Sequence, residues 1–333
     1  MPGVLKKPQQ SLMLTSEVEN APSNQPRQQP TSLEGLLRFA VEATRREDGA
    51  GPSNFAPMEE EKRKFLEDAL KSMTIDVIEI LVNQIKTFDN VGNVSEVDDV
   101  TEYIQAFETI CDYVDNIDIA NDFYKIGGFS IIRPCLESKH SELKLRAADL
   151  LAELCQNNIF CQNVAINHGF LQILVPMLKE TDFNVVAKVI YAISCIIREN
   201  PPGLHLFDGL QGFENIKEPL LNMDERTRKK SAFLLVALCN MDGNIKEKII
   251  SLDYINEIVT ILMNEYQTSF EDCGMLLQTL IEDNESGISV CRGHEEFEEF
   301  LKNHIEFTEN KDEYIEANAI YKNLLRQIFP EGN

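Results

Sequence analysis

Five histidines, eight cysteines and 55 acidic residues are what this chain offers to chemistry, and their spacing decides whether they can act together. A zinc protease needs two histidines one helical turn apart, as in HExxH, and a structural zinc site needs paired CxxC steps. Neither occurs: His140, His168, His205, His294 and His304 lie far apart, and no two cysteines stand in CxxC order. Carboxylate pairs such as Glu295 and Glu299 recur throughout so acidic a chain, so one pair reads as a solvated helix face rather than a general acid and base. The cluster HEEFEEF at 294–300 lacks the ligand spacing and the glycine of a calcium loop. No GxGxxG or GxxxxGK[ST] follows a strand-like run, which argues against nucleotide binding. SLDY at 251–254 and GLHLFDGLQGF at 203–213 read as connections between repeated elements. The expectation is a non-enzyme with no cofactor and no metal.

The elements that could position a binding surface instead are helices. Hydrophobic residues make up 43% of the 333, Trp is absent and Gly numbers only 16, a composition that suits packed helices better than a glycine-rich β-sandwich. A net charge of −24 repels nucleic acid and anionic membranes and favours a partner with a basic surface. Within ERTRKK, Glu225 to Lys230, the basic residues read as a solvated helix start rather than an import signal. Cys111, Cys155, Cys195 and Cys239 fall in similar apolar helical contexts, as reduced, buried thiols do. MPGVLKKPQQ lacks the apolar core of a signal peptide, no apolar run of about 18 residues occurs, and FPEGN is not a retention signal, so a cytoplasmic location is expected. There the sequons at Asn93 and Asn284 are chance matches.

Residues 1–57 are rich in Pro, Gln, Ser and Asn and are expected to form a disordered arm. Inside it, TSLEGLLRFAVEAT at 31–44 sets Leu33, Leu36, Leu37, Ala40 and Val41 on one side of a short amphipathic segment. That segment is either a partner-binding motif or a weak helix docking on its own domain. An ordered helix then opens at about Pro57, and a repeat domain is expected over 58–330.

The repeat shows in GFSIIRPCL at Gly128, GFLQILVPML at Gly169 and GFENIKEPLL at Gly212, 41 and 43 residues apart, with DYINEIVTILM at Asp253 a degenerate copy. Each is followed by a second helix, and these begin at Arg146, Lys188, Lys230 and Asp272, in steps of 42. YIQAFETICDYVDN is read as an incomplete first copy, while FEEFLKNHIEF and YIEANAIYKNLLRQIF supply capping helices. A helical unit of about 42 residues predicts an all-α, armadillo-like or HEAT-like superhelical solenoid. In LKLRAADLLAELCQNN an apolar stripe, Ala147, Leu150, Leu151 and Leu154, makes the core, and a mixed stripe, Arg146, Asp149, Glu153 and Gln156, is left over. Lys188, Tyr191, Cys195 and Arg198, then Lys230, Phe233, Ala237 and Asn240, then Asp272, Met275, Thr279 and Glu282, repeat it. The stripe either lines a binding groove or is a ladder of surface ion pairs worth about 0 to 1 kcal/mol each.

LEGLLRFAVEA, CDYVDNIDIANDF, KVIYAISCIIRENPPGL and RKKSAFLLVALC resemble the armadillo-type nucleotide exchange factors of cytosolic seventy-kilodalton heat-shock chaperones, from Ser32 to Phe329. The resemblance implies a co-chaperone, a monomer, that grips one lobe of the chaperone's ATPase domain and opens its cleft so that ADP leaves. It implies partner-binding roles for Asp118 and Ala120 in a loop DIAND, and for Arg146, Lys188, Tyr191, Arg198, Lys230 and Phe233 in the groove. It implies further that Leu36, Leu37 and Phe39 occupy the chaperone's client site and assist client release. The alternative is a non-catalytic armadillo scaffold or adaptor that reads an extended peptide. Against it, the ordinary armadillo pattern has Asn where this chain has Glu153, Cys195, Ala237 and Thr279.

Overall fold

A computed structural model of the protein describes residues 76–222, 224–264 and 271–330, together with Lys64. Lys64 aside, these fall in one unit, residues 71–333. The expected arm with Leu36, Leu37 and Phe39, and the boundary at residue 57, lie outside the described residues. Every regular element among the described residues is helical.

The unit opens with α1 (Val77–Thr87), a 3-10 turn (Phe88–Asn93) and α2 (Thr101–Val114). Three-helix repeats follow. The first is α3 (Ile117–Lys125), α4 (Ile132–Leu136) and α5 (Ser141–Cys155); the second is α6 (Ile159–Asn167), α7 (Phe170–Met177) and α8 (Phe183–Ile197). In the third, α9 (Pro201–Gly209) precedes a second helix split into α10 (Gly212–Asn215) and α11 (Lys217–Leu221), and α12 (Glu225–Met241) closes it. Then come α13 (Gly243–Ser251), α14 (Tyr254–Asn264) and α15 (Glu271–Ile281), and lastly α16 (Glu285–Arg292), α17 (Phe297–Thr308) and α18 (Ile315–Ile328). The expected pair of helices per repeat is therefore a triplet, because a short leading helix precedes each Gly-aromatic turn. The C-terminal helices do close the stack, as members of a fifth repeat.

Side-chain caps start these helices at the repeat step. The carbonyl or carboxylate oxygens of Asn116, Asn158, Asn200, Asp242 and Asn284, 42 residues apart, accept backbone N–H groups in the first turns of α3, α6, α9, α13 and α16. His140, Asp182 and Asp224 do the same for the third helices α5, α8 and α12. The Asn ladder also ties repeats together. Asn158 Nδ2 donates to Asn121 Oδ1 at 3.1 Å, Asn200 Nδ2 to Gln162 Oε1 and Asn163 Oδ1 at 3.2 Å, and Asn284 Nδ2 to Glu247 Oε1 at 3.2 Å.

The turn between first and second helices corrects the sequence alignment by one residue. Its left-handed positions are Gly127, Gly169, Gln211 and Asp253, with φ of 87°, 74°, 58° and 65°, again in steps of 42. Gly128 and Gly212 thus align with Phe170 and Tyr254, not with Gly169. Packing explains the swap. A Cβ at Gly128 would lie 2.4 Å from the ring of Phe123, and one at Gly212 2.3 Å from that of Phe207. In the alternate repeats the ring takes the glycine's place: Phe170 and Tyr254 stand where Gly128 and Gly212 do, while the smaller Ala165 and Ile249 stand where Phe123 and Phe207 do, all buried.

The third helices form the spine. α2 packs on α5, α5 on α8, α8 on α12, α12 on α15 and α15 on α18. Leu150, Leu151 and Leu154 of α5 are sealed, as are Ile193 of α8 and Leu234 and Leu238 of α12. Each such side chain contributes about 1.5–3 kcal/mol of transfer free energy. The spine's other face is where the mixed stripe emerges.

Candidate functional site

Along the spine the stripe changes character from rank to rank. On α5, Arg146 is held by Glu142 at 2.8 Å and by Glu108 of α2 at 3.2 Å. On α8, Lys188 pairs with Asp149 at 2.5 Å, and the Tyr191 hydroxyl lies 3.1 Å from Gln156 Oε1 and 3.5 Å from Glu153 Oε1. To this point the ion-pair ladder describes the stripe. The next rank breaks it. Lys230 of α12 sits with Nζ 5.0 Å from the centre of the Tyr191 ring, and the Arg198 guanidinium 5.8 Å from that of Phe233. Each cation thus faces the negative face of a ring. Among the described residues Arg198, Lys229 and Lys230 have no ion-pair partner.

These residues border a groove of about 920 Å³ that runs from Gln156 and Asn157 at the end of α5, past Tyr191 and Arg198, to the first turns of α15 and α18. Phe233, 58% exposed, and Met275, 42% exposed, stand in it as apolar contacts open to solvent. Partial burial shapes its electrostatics. Desolvation, and then the neighbouring Lys188, push the Lys230 ammonium below the usual lysine range. Desolvation likewise raises the carboxyls of Glu271 and Asp272 above the ordinary carboxylate range. Burial pushes the thiol of Cys195, which also lines the groove, up to about 11, so it stays protonated at neutral pH and offers no nucleophile. No group of three or more His, Cys, Asp or Glu residues among the described residues is placed to hold a metal.

Of the residues singled out in the sequence, the structure brings Tyr191, Arg198, Lys230 and Phe233 into the groove wall. Arg146 and Lys188 stand in the paired ranks beside it. Asp118 is exposed, in the first turn of α3. Ala120 is a correction: DIAND is not a loop but part of α3, and Ala120 is 1% exposed, its carbonyl facing Cys161 Sγ at 3.9 Å. The capping Asn116 turns the chain into a helix one residue before that segment, which places Ala120 on the core side. Sequence reasoning passed over Lys229, Arg226, Glu271 and Glu316, all in the groove lining. The signal was present: Lys229-Lys230 and Glu271-Asp272 are repeat-equivalent pairs of opposite sign.

Two family models match the chain: the SIL1/FES1/HPBP1 C-terminal domain over residues 119–229, and nucleotide exchange factor Fes1 over residues 33–123. Together they span 33–229, more than half of the chain. Among curated relatives, Hsp70-binding protein 1 of Mus musculus is 28% identical over 311 residues, covering 90% of this chain and 86% of its own length. Hsp70 nucleotide exchange factor FES1 of Mycosarcoma maydis is 28% identical over 205 residues, covering 61% of this chain and 48% of its own. Among solved structures, a designed armadillo repeat protein superposes with a TM-score of 0.56 at 15% identity, covering 74% of this chain and 99% of that one. A related design in complex with the peptide (KR)4 gives 0.57 at 15%, over 75% of this chain and all of that one. The architecture is therefore that of armadillo repeats, and residues 33–229 are similar, in two successive blocks, to nucleotide exchange factor Fes1 and to the SIL1/FES1/HPBP1 C-terminal domain.

Proposed function

We propose that this protein is a cytoplasmic, monomeric, non-enzymatic co-chaperone that binds the ATPase domain of a seventy-kilodalton heat-shock chaperone and promotes release of ADP. The solenoid grips one lobe through the groove on the third helices and holds the nucleotide cleft open; ADP leaves and ATP replaces it. The arm, through Leu36, Leu37 and Phe39, assists client release. Asp118, exposed at the start of α3 and within the residues 33–123 that match Fes1, is offered as a peripheral contact.

The observation that carries this reading is the match to the SIL1/FES1/HPBP1 domain over residues 119–229, which runs from α3 to the start of α12, takes in Tyr191, Arg198, Arg226 and Lys229 of the groove, and stops one residue short of Lys230. Burial speaks against a peptide reader of the armadillo kind. The Asn residues that recur at the repeat step are spent on caps and on ties between repeats, with Asn158, Asn200 and Asn284 at most 9% exposed. They are not available to a peptide backbone. The test is stopped-flow release of a fluorescent ADP from the chaperone's isolated ATPase domain. Release should accelerate, and saturate, as the full chain is added; release that stays at its spontaneous rate would rule out exchange.

A further inference from the structure

Resting on that reading, the groove also specifies what the chaperone must present to it. We propose that it recognises a ridge of divided charge on the folded surface of the ATPase domain: carboxylates toward α8 and α12, an apolar crest at the centre, and cations toward α15 and α18.

Three observations point this way. The first is a reversal of sign at repeat-equivalent positions, Lys229-Lys230 on α12 against Glu271-Asp272 on α15, with Glu316 of α18 adding to the acidic side. The second is that the two walls close no ion pair on each other, although the Lys229 charge is felt by both Glu271 and Asp272. In the preceding ranks cations and carboxylates close on one another at 2.5–3.2 Å, whereas Lys229 and Lys230 form no such pair with the acids across the groove. The third is the apolar strip of Phe233 and Met275, both exposed in the groove. Charges kept apart across an apolar strip, in a groove where desolvation already opposes both signs, gain most from a partner that brings the complement to each. A uniformly basic or acidic partner would satisfy one wall and be repelled by the other.

Charge reversal on each wall separates this from general attraction. Full-length protein is titrated into the nucleotide-free ATPase domain by calorimetry, at low and at physiological salt, for the parent and for Lys230→Glu, Asp272→Lys and Glu316→Lys. Glu316 is exposed, so its reversal is the variant least exposed to a folding defect, and circular dichroism checks all three. Divided charge predicts that reversal on either wall weakens binding at least tenfold at low salt, with the losses shrinking at higher salt. A uniformly acidic face would instead be reported by weaker binding of Lys230→Glu and tighter binding of Asp272→Lys and Glu316→Lys, and a uniformly basic face by the opposite; either overturns the proposal. Three variants that bind as the parent does overturn it too, while leaving exchange itself standing if ADP release is still accelerated. A parent that neither binds nor accelerates release removes the proposed function, and the inference with it.

Discussion

Asn158 and Asn200 stand one repeat apart, as do Lys188 and Lys230, yet the two asparagines are buried in the solenoid with their hydrogen bonds made, and the lysines go from an ion pair at Lys188 to none at Lys230 in the groove. Both carry the same period and both are polar. Periodicity thus reports only that the chain repeats; whether each rank finds its partner within the chain reports what the ladder is for. The Asn ladder is closed, and its work is to hold one repeat on the next. The cation ladder is closed at Arg146 and Lys188 and open at Lys230, and of these three only Lys230 lines the groove; Arg198, at the far end of the Lys188 rank, is in the lining too and faces a ring instead of a carboxylate.

The largest expected effect lies in the closed ladder. Asn200→Ala removes the cap on Gly203 N–H, made at 2.9 Å, and leaves the Gln162 side chain short of a partner in a buried setting. It should destabilise the fold by about 2–4 kcal/mol. The check is chemical denaturation, with ADP release per folded molecule unchanged. If stability holds and release falls, the two ladders have been assigned the wrong way round.

Reversal in the open ladder should do the opposite. Lys230→Glu is expected to cost about 2 kcal/mol of chaperone binding, near thirtyfold in Kd, with the melting temperature almost unmoved. Arg146→Ala, in a closed rank with its charge already neutralised by Glu142 and Glu108, should cost under about 1 kcal/mol in either assay. Equal losses for the two would erase the distinction between open and closed ranks.

The smallest effect concerns Asp272, whose carboxyl titrates above its usual value because burial disfavours the charged form. A carboxylate with a raised folded-state pKa binds its proton more tightly in the native protein, so its contribution to stability is full below the unfolded value of 3.8 and is lost as pH rises through the folded one. Asp272→Asn should therefore melt slightly higher than the parent at neutral pH, and the advantage should fade as pH falls toward 3.8. A gain that is constant with pH would mean that desolvation of this carboxylate is not its source.

Much of this was legible in the sequence, for physical reasons that differ from element to element. The third helices announced themselves because they are long and amphipathic, and Arg146, Lys188, Lys230 and Asp272 mark them in equal steps. The first helices were hidden. They run to nine residues or fewer, and α6 carries buried Cys161, Gln162, Val164 and Ala165 with no clean apolar stripe, so only the Asn at each start betrays them. The Gly-aromatic pairs misled the alignment by one residue, because glycine serves two ends there: a left-handed turn at Gly169, and room for a neighbouring ring at Gly128 and Gly212. Within the groove, residue types were readable but pairing was not. Lys188 and Asp149 are 39 residues apart and meet only once two repeats stack, so the sequence could offer groove and ion-pair ladder as rivals, while the structure gives each its own stretch of the spine.

The comparison between closed and open ranks matters to function only if occupation of the groove is coupled to the chaperone's nucleotide. Coupling is reciprocal: a factor that lowers ADP affinity a thousandfold, about 4 kcal/mol, has its own affinity lowered by ADP to the same extent. The most direct measurement is calorimetric titration of the full chain into the ATPase domain, first stripped of nucleotide and then saturated with ADP. The account predicts tight binding to the empty domain and affinity weaker by up to about a thousandfold with ADP bound. Equal affinities in the two states would contradict it, because a protein that binds both states alike shifts no equilibrium and cannot act as an exchange factor.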